Sequence, residues 1–145
     1  MSPYLAIGAL VAILALVAAS PRFEKGAYAL CFLLLTGFLT FRFGQGTDWL
    51  GYNYIFASAP SSIDFGSSFY GEAVHSEFGW KLLNNVLKAL GVDFVFLSIS
   101  LSLVEMLLLN RFLGRYSPNR VLSLLVSFPA VYLTYFFSAM RQGLV

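Results

Sequence analysis

The chain has 145 residues, of which 59% are hydrophobic, 17% aromatic and only 11% charged. A soluble domain of this size cannot bury so much apolar surface, so the composition predicts an all-α integral membrane protein with about four spanning helices. The formal net charge of +2, without a basic patch, excludes a nucleic-acid-binding protein, and the single Cys31 excludes an intramolecular disulfide or thiolate metal site.

The first apolar run covers residues 4–19 and predicts a short spanning helix. A cleavable signal peptide is the alternative, but its basic residues would precede the run, whereas Arg22 and Lys25 follow it. The second run, residues 27–41, holds no charge and predicts an antiparallel neighbour, because the connection is short. It ends at Arg42, whose charged group we expect at the membrane interface.

Residues 42–91 are predicted to form a polar loop, since they contain both tryptophans, the one histidine and most of the acidic residues. Thr47 is the predicted N-cap of a short helix in which Trp49, Tyr52 and Phe56 share one face. Histidine, cysteine and acidic residues are not spaced as metal ligands, so we predict no metal and no cofactor.

A second short amphipathic helix is predicted in the same loop, over residues 77–90, with Ser76 as its N-cap and Gly91 ending it. Its apolar side consists of Phe78, Leu82, Val86 and Leu90, and its polar side of Lys81, Asn84, Asn85 and Lys88. Such a helix is too polar to span, so we expect it to lie in the interface or against the bundle.

Residues 92–109 predict a third span, which contains the carboxylate of Glu105. An ionisable group in a spanning helix is a functional hypothesis by default. This span is predicted to end about one turn after Glu105, close to Arg111 and Arg115. We therefore favour a structural ion pair between Glu105 and one of these arginines.

The fourth predicted span covers residues 121–140 and contains Pro129, which is expected to kink it. The distribution of Lys and Arg orients the four helices. Two short loops hold the basic residues Arg22, Lys25, Arg111, Arg115 and Arg120. Short loops rich in such residues are retained in the cytoplasm, so loop 42–91 is predicted to be extracytoplasmic, and the fourth helix brings Arg141 to the same side.

Three short motifs occur in order: Arg42-x-Gly44-x-Gly46-Thr47-Asp48-Trp49 with Tyr52, then Glu77-Phe78-Gly79, then Met140-Arg141-Gln142. In this order they resemble the N-terminal half of the EpsG-like family, which belongs to the Wzy-type bacterial polysaccharide polymerases. The resemblance covers about residues 36–145. It implies a multi-pass protein of the bacterial inner membrane that joins repeat units carried on undecaprenyl pyrophosphate at the outer leaflet.

This implied reaction assigns roles to residue types. A pyrophosphate leaving group needs fixed positive charge, which suits Arg42 and Arg141, because a guanidinium binds phosphate oxygens bidentately and stays protonated. An attacking sugar hydroxyl needs a base, for which Asp48 and Glu77 are the candidates. The other predicted substrate-binding residues are Gly44 and Gly46 for backbone approach to phosphate, Trp49 and Tyr52 for sugar stacking, and Gln142.

Each assignment has a structural alternative. Arg42 and Asp48 could pair with each other and hold the loop in place. Trp49 and Tyr52 could belong to the aromatic belt at the membrane interface.

The resembled family also continues beyond the position of Val145, so we expect a truncated N-terminal portion that acts with a C-terminal partner fragment or with other export proteins. The alternative function is a non-catalytic membrane module that binds lipid-linked glycan or assists a polysaccharide export complex. A transporter is disfavoured, because the polar groups are predicted to gather at one face of the membrane.

Overall fold

A computed structural model describes residues 3–45, 48–60 and 78–138, and all regular secondary structure in these ranges is helical. The helices are α1 (Pro3–Val17), α2 (Glu24–Thr40), α3 (Trp49–Ser58), α4 (Phe78–Ala89), α5 (Phe94–Tyr116) and α6 (Arg120–Ser127), which continues as a π-helix over Phe128–Ser138. This confirms the all-helical prediction, including two short helices, α3 and α4, between the second and third predicted spans.

Among the described residues, two helices are long and apolar enough to cross a membrane. They are α5, with 23 residues, and the continuous helix Arg120–Phe137, with 18 residues, called the fourth helix below. α1 and α2 are shorter, at 15 and 17 residues. The third and fourth predicted spans are therefore helices of spanning length, whereas the first two are shorter apolar helices.

Contacts between α2 and α5 show that these helices are antiparallel. Near the start of α2, the Tyr28 hydroxyl donates to Asn110 Oδ1, late in α5, at 2.6 Å. Near the end of α2, the carbonyl oxygen of Leu39 lies 3.5 Å from the hydroxyl of Ser102, which is earlier in α5. The direction of the chain therefore reverses from α2 to α5, as two consecutive spans require.

The fourth helix runs parallel to α2 and antiparallel to α1. Its first residue, Arg120, lies over the ring of Tyr28 at 5.7 Å, at the start of α2. At its other end Phe137 makes an edge-on ring contact with Tyr4 of α1, with ring centroids 5.4 Å apart. α1, α2, α5 and the fourth helix thus alternate in direction along the chain.

One buried cluster joins these four helices. Its members include Val11, Cys31, Leu35, Met106, Leu124 and Tyr132. Cys31 is fully buried within this cluster. Many large apolar residues on the outer faces are exposed instead, among them Leu16, Leu33, Leu107 and Val126. An apolar exterior around a packed interior is what a helix bundle in lipid requires.

A second cluster joins α3 and α4 to the first half of α5. Its buried residues are Tyr52, Phe56, Trp80, Phe94, Leu97 and Leu101. The rings of Tyr52 and Trp80 meet edge-on with centroids 5.4 Å apart, and those of Trp49 and Phe94 do so at 5.2 Å. The predicted shared face of Trp49, Tyr52 and Phe56 is confirmed.

α4 packs through Trp80 of the second cluster and also through its polar side. Asn84 and Asn85 are buried, whereas Phe78 and Leu90, from the two ends of the apolar side, are 53% and 72% exposed. The reason lies at the end of α3, where main-chain carbonyls lack helical partners. Lys88 Nζ donates there to the carbonyls of Phe56, Ala57 and Ala59, and Asn85 Nδ2 donates to that of Pro60.

The predicted end of α4 can be compared with the structure, whereas the predicted N-caps of α3 and α4 cannot. Gly91, with φ +75°, ends α4, and the N–H of Val92 donates to the carbonyl of Leu87, as in a glycine C-cap. The residue before α3 is Asp48, whose side chain makes no capping hydrogen bond, and the predicted N-caps Thr47 and Ser76 lie outside the described residues.

The third span was predicted to end near Leu109, but α5 continues to Tyr116. α6 begins after Asn119, whose side chain accepts from the N–H of Leu122 at 3.0 Å. The α-helix changes to a π-helix at Phe128, next to Pro129. Proline has no backbone N–H, so it cannot donate a helical hydrogen bond there.

Candidate functional site

Arg42 follows α2 at a turn that directs its side chain into the bundle. The N–H of Phe41 donates to the carbonyl of Gly37 at 3.0 Å, and that of Gln45 donates to the carbonyl of Arg42 at 2.9 Å. Gly44 has a φ of +67°, in the left-handed region that favours glycine. The Arg42 side chain is only 1% exposed, so its charge lies inside the bundle and not at the expected interface.

The guanidinium of Arg42 binds the end of the described π-helix. Its NH1 donates to the carbonyl oxygens of Phe136 and Phe137, the second at 2.8 Å, and its Cζ lies 5.9 Å from the Phe137 ring centroid. Its Nε and NH2 atoms are buried and have no hydrogen-bond partner among the described residues. NH1 of Arg42 therefore holds the end of the helix, and the N–H groups of Nε and NH2 remain available to donate to another ligand.

Glu105 is the second buried ionisable residue of the bundle. Its side chain is 1% exposed, and neither carboxylate oxygen has a hydrogen-bond partner among the described residues. It shares the inner face of α5 with Ser98 and Ser102, which are also buried. The predicted placement beside Arg111 and Arg115 at a helix end is wrong: α5 continues to Tyr116, so Glu105 lies in its middle.

Arg42 and Glu105 influence each other electrostatically. Burial lowers the pKa of the Arg42 guanidinium from its ordinary value, while the carboxyl of Glu105 and the hydroxyls of Tyr132 and Tyr52 raise it. An arginine at such a place still carries its charge, because its reference pKa is very high. The interior of the bundle therefore holds a permanent cation with a carboxyl group near it.

Buried hydroxyl groups accompany Arg42 and Glu105. The Tyr132 hydroxyl donates to the carbonyl of Leu35 at 2.5 Å, and Ser102 Oγ donates to the carbonyl of Ser98 at 2.8 Å. We call Arg42, Glu105, Tyr132, Ser98 and Ser102 the buried polar cluster. Electrostatic interactions are strong in such a dry interior, and buried charge is costly unless it is paired or bound. The cluster can therefore hold an anion or a polar group firmly.

The EpsG family domain matches residues 27–145, which include most of α2, all of α3 to α6, the π-helix and the whole buried polar cluster. The chain belongs to the EpsG family. Membership confirms the family resemblance, links the protein to polysaccharide biosynthesis and agrees with the candidate membrane helices. No curated protein and no solved structure matches the chain.

In this EpsG-family chain, some of the site residues predicted from the sequence lie in the aromatic cluster and others are exposed. Tyr52 is buried and lies near enough to Arg42 to affect its pKa, and Trp49 belongs to the same aromatic cluster as Tyr52. Asp48 is exposed at the start of α3, where its side chain makes no capping hydrogen bond. Gly44 is exposed on the turn, and its positive φ gives it a conformational role.

Within the described ranges, Arg42 makes no hydrogen bond to Asp48. Its hydrogen bonds there go to the main-chain carbonyls of Phe136 and Phe137. The alternative of a direct pair between these residues is therefore not observed. Gly46, Glu77, Arg141 and Gln142 lie outside the described residues, and their predicted roles stay predictions.

Sequence reasoning missed two contributors to the EpsG-family site. The sequence did contain a signal for the position of Glu105 near Arg42, because Ser98, Ser102 and Glu105 recur at helical spacing in an otherwise apolar run and so share one face of the helix. Tyr132 had no comparable signal, because it is one of several aromatic residues in the same helix.

Proposed function

We propose that this EpsG-family protein is part of a membrane polysaccharide polymerase that joins undecaprenyl-pyrophosphate-linked repeat units at the outer leaflet of the bacterial inner membrane. The observation that carries the proposal is the buried guanidinium of Arg42, whose Nε and NH2 atoms keep unused donors beside Glu105. A pyrophosphate leaving group needs such a fixed cation.

In the proposed reaction the bond between the anomeric carbon of the donor and its pyrophosphate oxygen breaks. A hydroxyl oxygen of the acceptor sugar forms the new glycosidic bond, its proton passes to a carboxylate, and the lipid pyrophosphate leaves. Arg42 binds the pyrophosphate together with Arg141. Asp48 or Glu77 accepts the proton, and the exposed position of Asp48 leaves its carboxylate open to an acceptor.

The link between Arg42 and the π-helix supports a joint role for Arg42 and Arg141. Arg42 binds the carbonyls of Phe136 and Phe137, and Arg141 follows these residues closely in the sequence. The first motif thus contacts the helix that precedes the third motif in the sequence. In this proposal Glu105 is a positioning residue, since it faces the guanidinium from α5.

The proposed topology has four spans. α1, α2, α5 and the fourth helix alternate in direction, and the turns at one end carry Arg22, Lys25 and Arg120. Short basic turns favour the cytoplasmic side. The opposite end, with Arg42, α3 and α4, is then extracytoplasmic.

A non-catalytic role is the second candidate, and one observation favours it. NH1 of Arg42 holds two helix carbonyls, which is an anchoring contact that needs no substrate. In that case the protein would bind lipid-linked glycan or assist an export complex without performing transfer.

The test is complementation of a strain that lacks the gene, with polymer length and the amount of protein in the membrane measured together. We expect Asp48→Asn and Arg141→Ala each to abolish long polymer at normal membrane abundance, and Arg42→Ala to abolish it while the protein still inserts into the membrane. Arg22→Ala, at the opposite end, is the matched control and should leave polymer length unchanged. Normal chain length in all three site variants would contradict the proposal. Asp48 is exposed, so its variant is not expected to unfold the protein.

A further inference from the structure

Two adjoining cavities lie at the end of the bundle opposite Arg42. The first, of about 430 Å³, is lined by Glu24, Lys25, Tyr28, Ser117, Pro118 and Arg120. The second is an apolar groove of about 790 Å³ between α5 and the fourth helix, lined among others by Leu109, Phe112, Leu122, Val126 and Val131. Ser117 and Pro118 line both cavities, so the polar cavity opens beside one end of the groove.

The polar cavity carries a net positive charge. Lys25 and Arg120 are its cations and Glu24 is its one carboxylate. Arg120 is held in place, since its Cζ lies 5.7 Å from the Tyr28 ring centroid and its NH2 is 3.5 Å from the carbonyl of Gly114. A fixed cation beside a second basic side chain matches a phosphate group.

The groove lies between the two helices that are long enough to cross a membrane. Phe112, Leu122 and Val126 on its walls are 57%, 51% and 70% exposed, which is costly in water and favourable against hydrocarbon. A molecule that fits both cavities has an anionic head and a long apolar chain. An anionic phospholipid has this chemistry.

We propose that the two cavities form one binding site for an anionic phospholipid of the membrane leaflet at this end of the bundle. The lipid phosphate binds Lys25 and Arg120, and one acyl chain occupies the groove between α5 and the fourth helix. This site is separate from the buried polar cluster and does not depend on the proposed polymerase activity.

The experiment uses the purified protein in a neutral detergent. Phosphatidylglycerol, phosphatidylcholine with the same acyl chains, and inorganic phosphate are added separately, and bound lipid is counted by native mass spectrometry while Tm is followed. We expect phosphatidylglycerol to stay bound and raise Tm, phosphatidylcholine to bind roughly tenfold or more weakly, and phosphate to have no effect, because each basic residue adds to attraction for an anionic lipid.

Paired variants locate the site. The double variant Lys25→Gln with Arg120→Gln should lose the preference for phosphatidylglycerol, and Val126→Trp should reduce its retention by filling the groove. Arg22→Gln and Leu107→Trp are the matched controls, since both residues are exposed and neither lines either of these two cavities. Equal binding of the two lipids, the same Tm increase with phosphate alone, or equal losses in the control variants would overturn the proposal.

Discussion

Arg42 and Glu105 bring a guanidinium and a carboxyl group together inside the helix bundle, each residue with 1% of its surface exposed, and the carboxyl of Glu105 raises the pKa of the Arg42 guanidinium. One residue follows α2 and the other lies in the middle of α5, so the relationship joins the two antiparallel helices. Removing one partner of such a buried pair costs more than removing both, because the remaining group is left without compensation.

The first prediction concerns this pair of charges. Glu105→Leu should destabilise the protein by about 2 kcal/mol, because the buried Arg42 guanidinium loses the polar group that interacts with it in a dry interior. The double variant Arg42→Met with Glu105→Leu should recover part of that loss, since no buried charge then remains. Tm of the purified protein in detergent measures both effects. Additive losses in the double variant would show that the two charges are not coupled.

The buried hydroxyl of Tyr132 supports the second prediction. Tyr132→Phe removes its hydrogen bond to the carbonyl of Leu35 and should cost about 1 kcal/mol of stability. Tyr135→Phe is the control, because Tyr135 is 46% exposed and lies in the same helix. We expect Tm to fall for the first variant only. An equal change in both would mean that the Leu35 contact contributes no stability.

The third prediction concerns the contact between α3 and α4. Lys88→Met removes the donor for three carbonyls at the end of α3, so the backbone amides of residues 49–58 should exchange hydrogen faster. Hydrogen exchange followed by mass spectrometry measures this. The control is Lys81→Met in the same helix, which should leave exchange in α3 unchanged. If hydrogen exchange in α3 were unchanged in the Lys88 variant, Lys88 would not cap the end of α3.

The fourth prediction separates the two possible roles of Gly44. Gly44→Ala should cost roughly 1 kcal/mol, because φ at this position is +67°, whereas Gly51→Ala in α3 should be neutral or stabilising. A Cβ atom would meet nothing within 4 Å at either position, so only the backbone conformation differs.

Gly44→Asn completes this test, since asparagine tolerates the left-handed region. If Gly44 serves the turn alone, Gly44→Asn should keep both Tm and polymer length. If its bare backbone is needed against phosphate, polymer length should fall while Tm stays normal. Loss of Tm in Gly44→Asn comparable to that in Gly44→Ala would mean that conformation is not the cause.

Local features of the fold were predictable because they depend on residues a few positions apart. The end of α4 at Gly91 needed only the preference of glycine for positive φ. The common face of Trp49, Tyr52 and Phe56 needed only the helical period. The end of α5 was predicted too early, because Arg111 and Arg115 suggested a loop, whereas exposed arginines also occupy the last turns of a long helix.

The sequence by itself determined the membrane class, the helical architecture and the family, because apolar composition, periodicity and ordered motifs are properties of the chain alone. Only the tertiary structure decided that Arg42 lies inside the bundle, where it binds the carbonyls of Phe136 and Phe137 and faces Glu105. Those partners are far apart in the chain and are brought together by packing. The charge that a buried side chain meets depends on which helices surround it, and short-range sequence patterns do not contain that information.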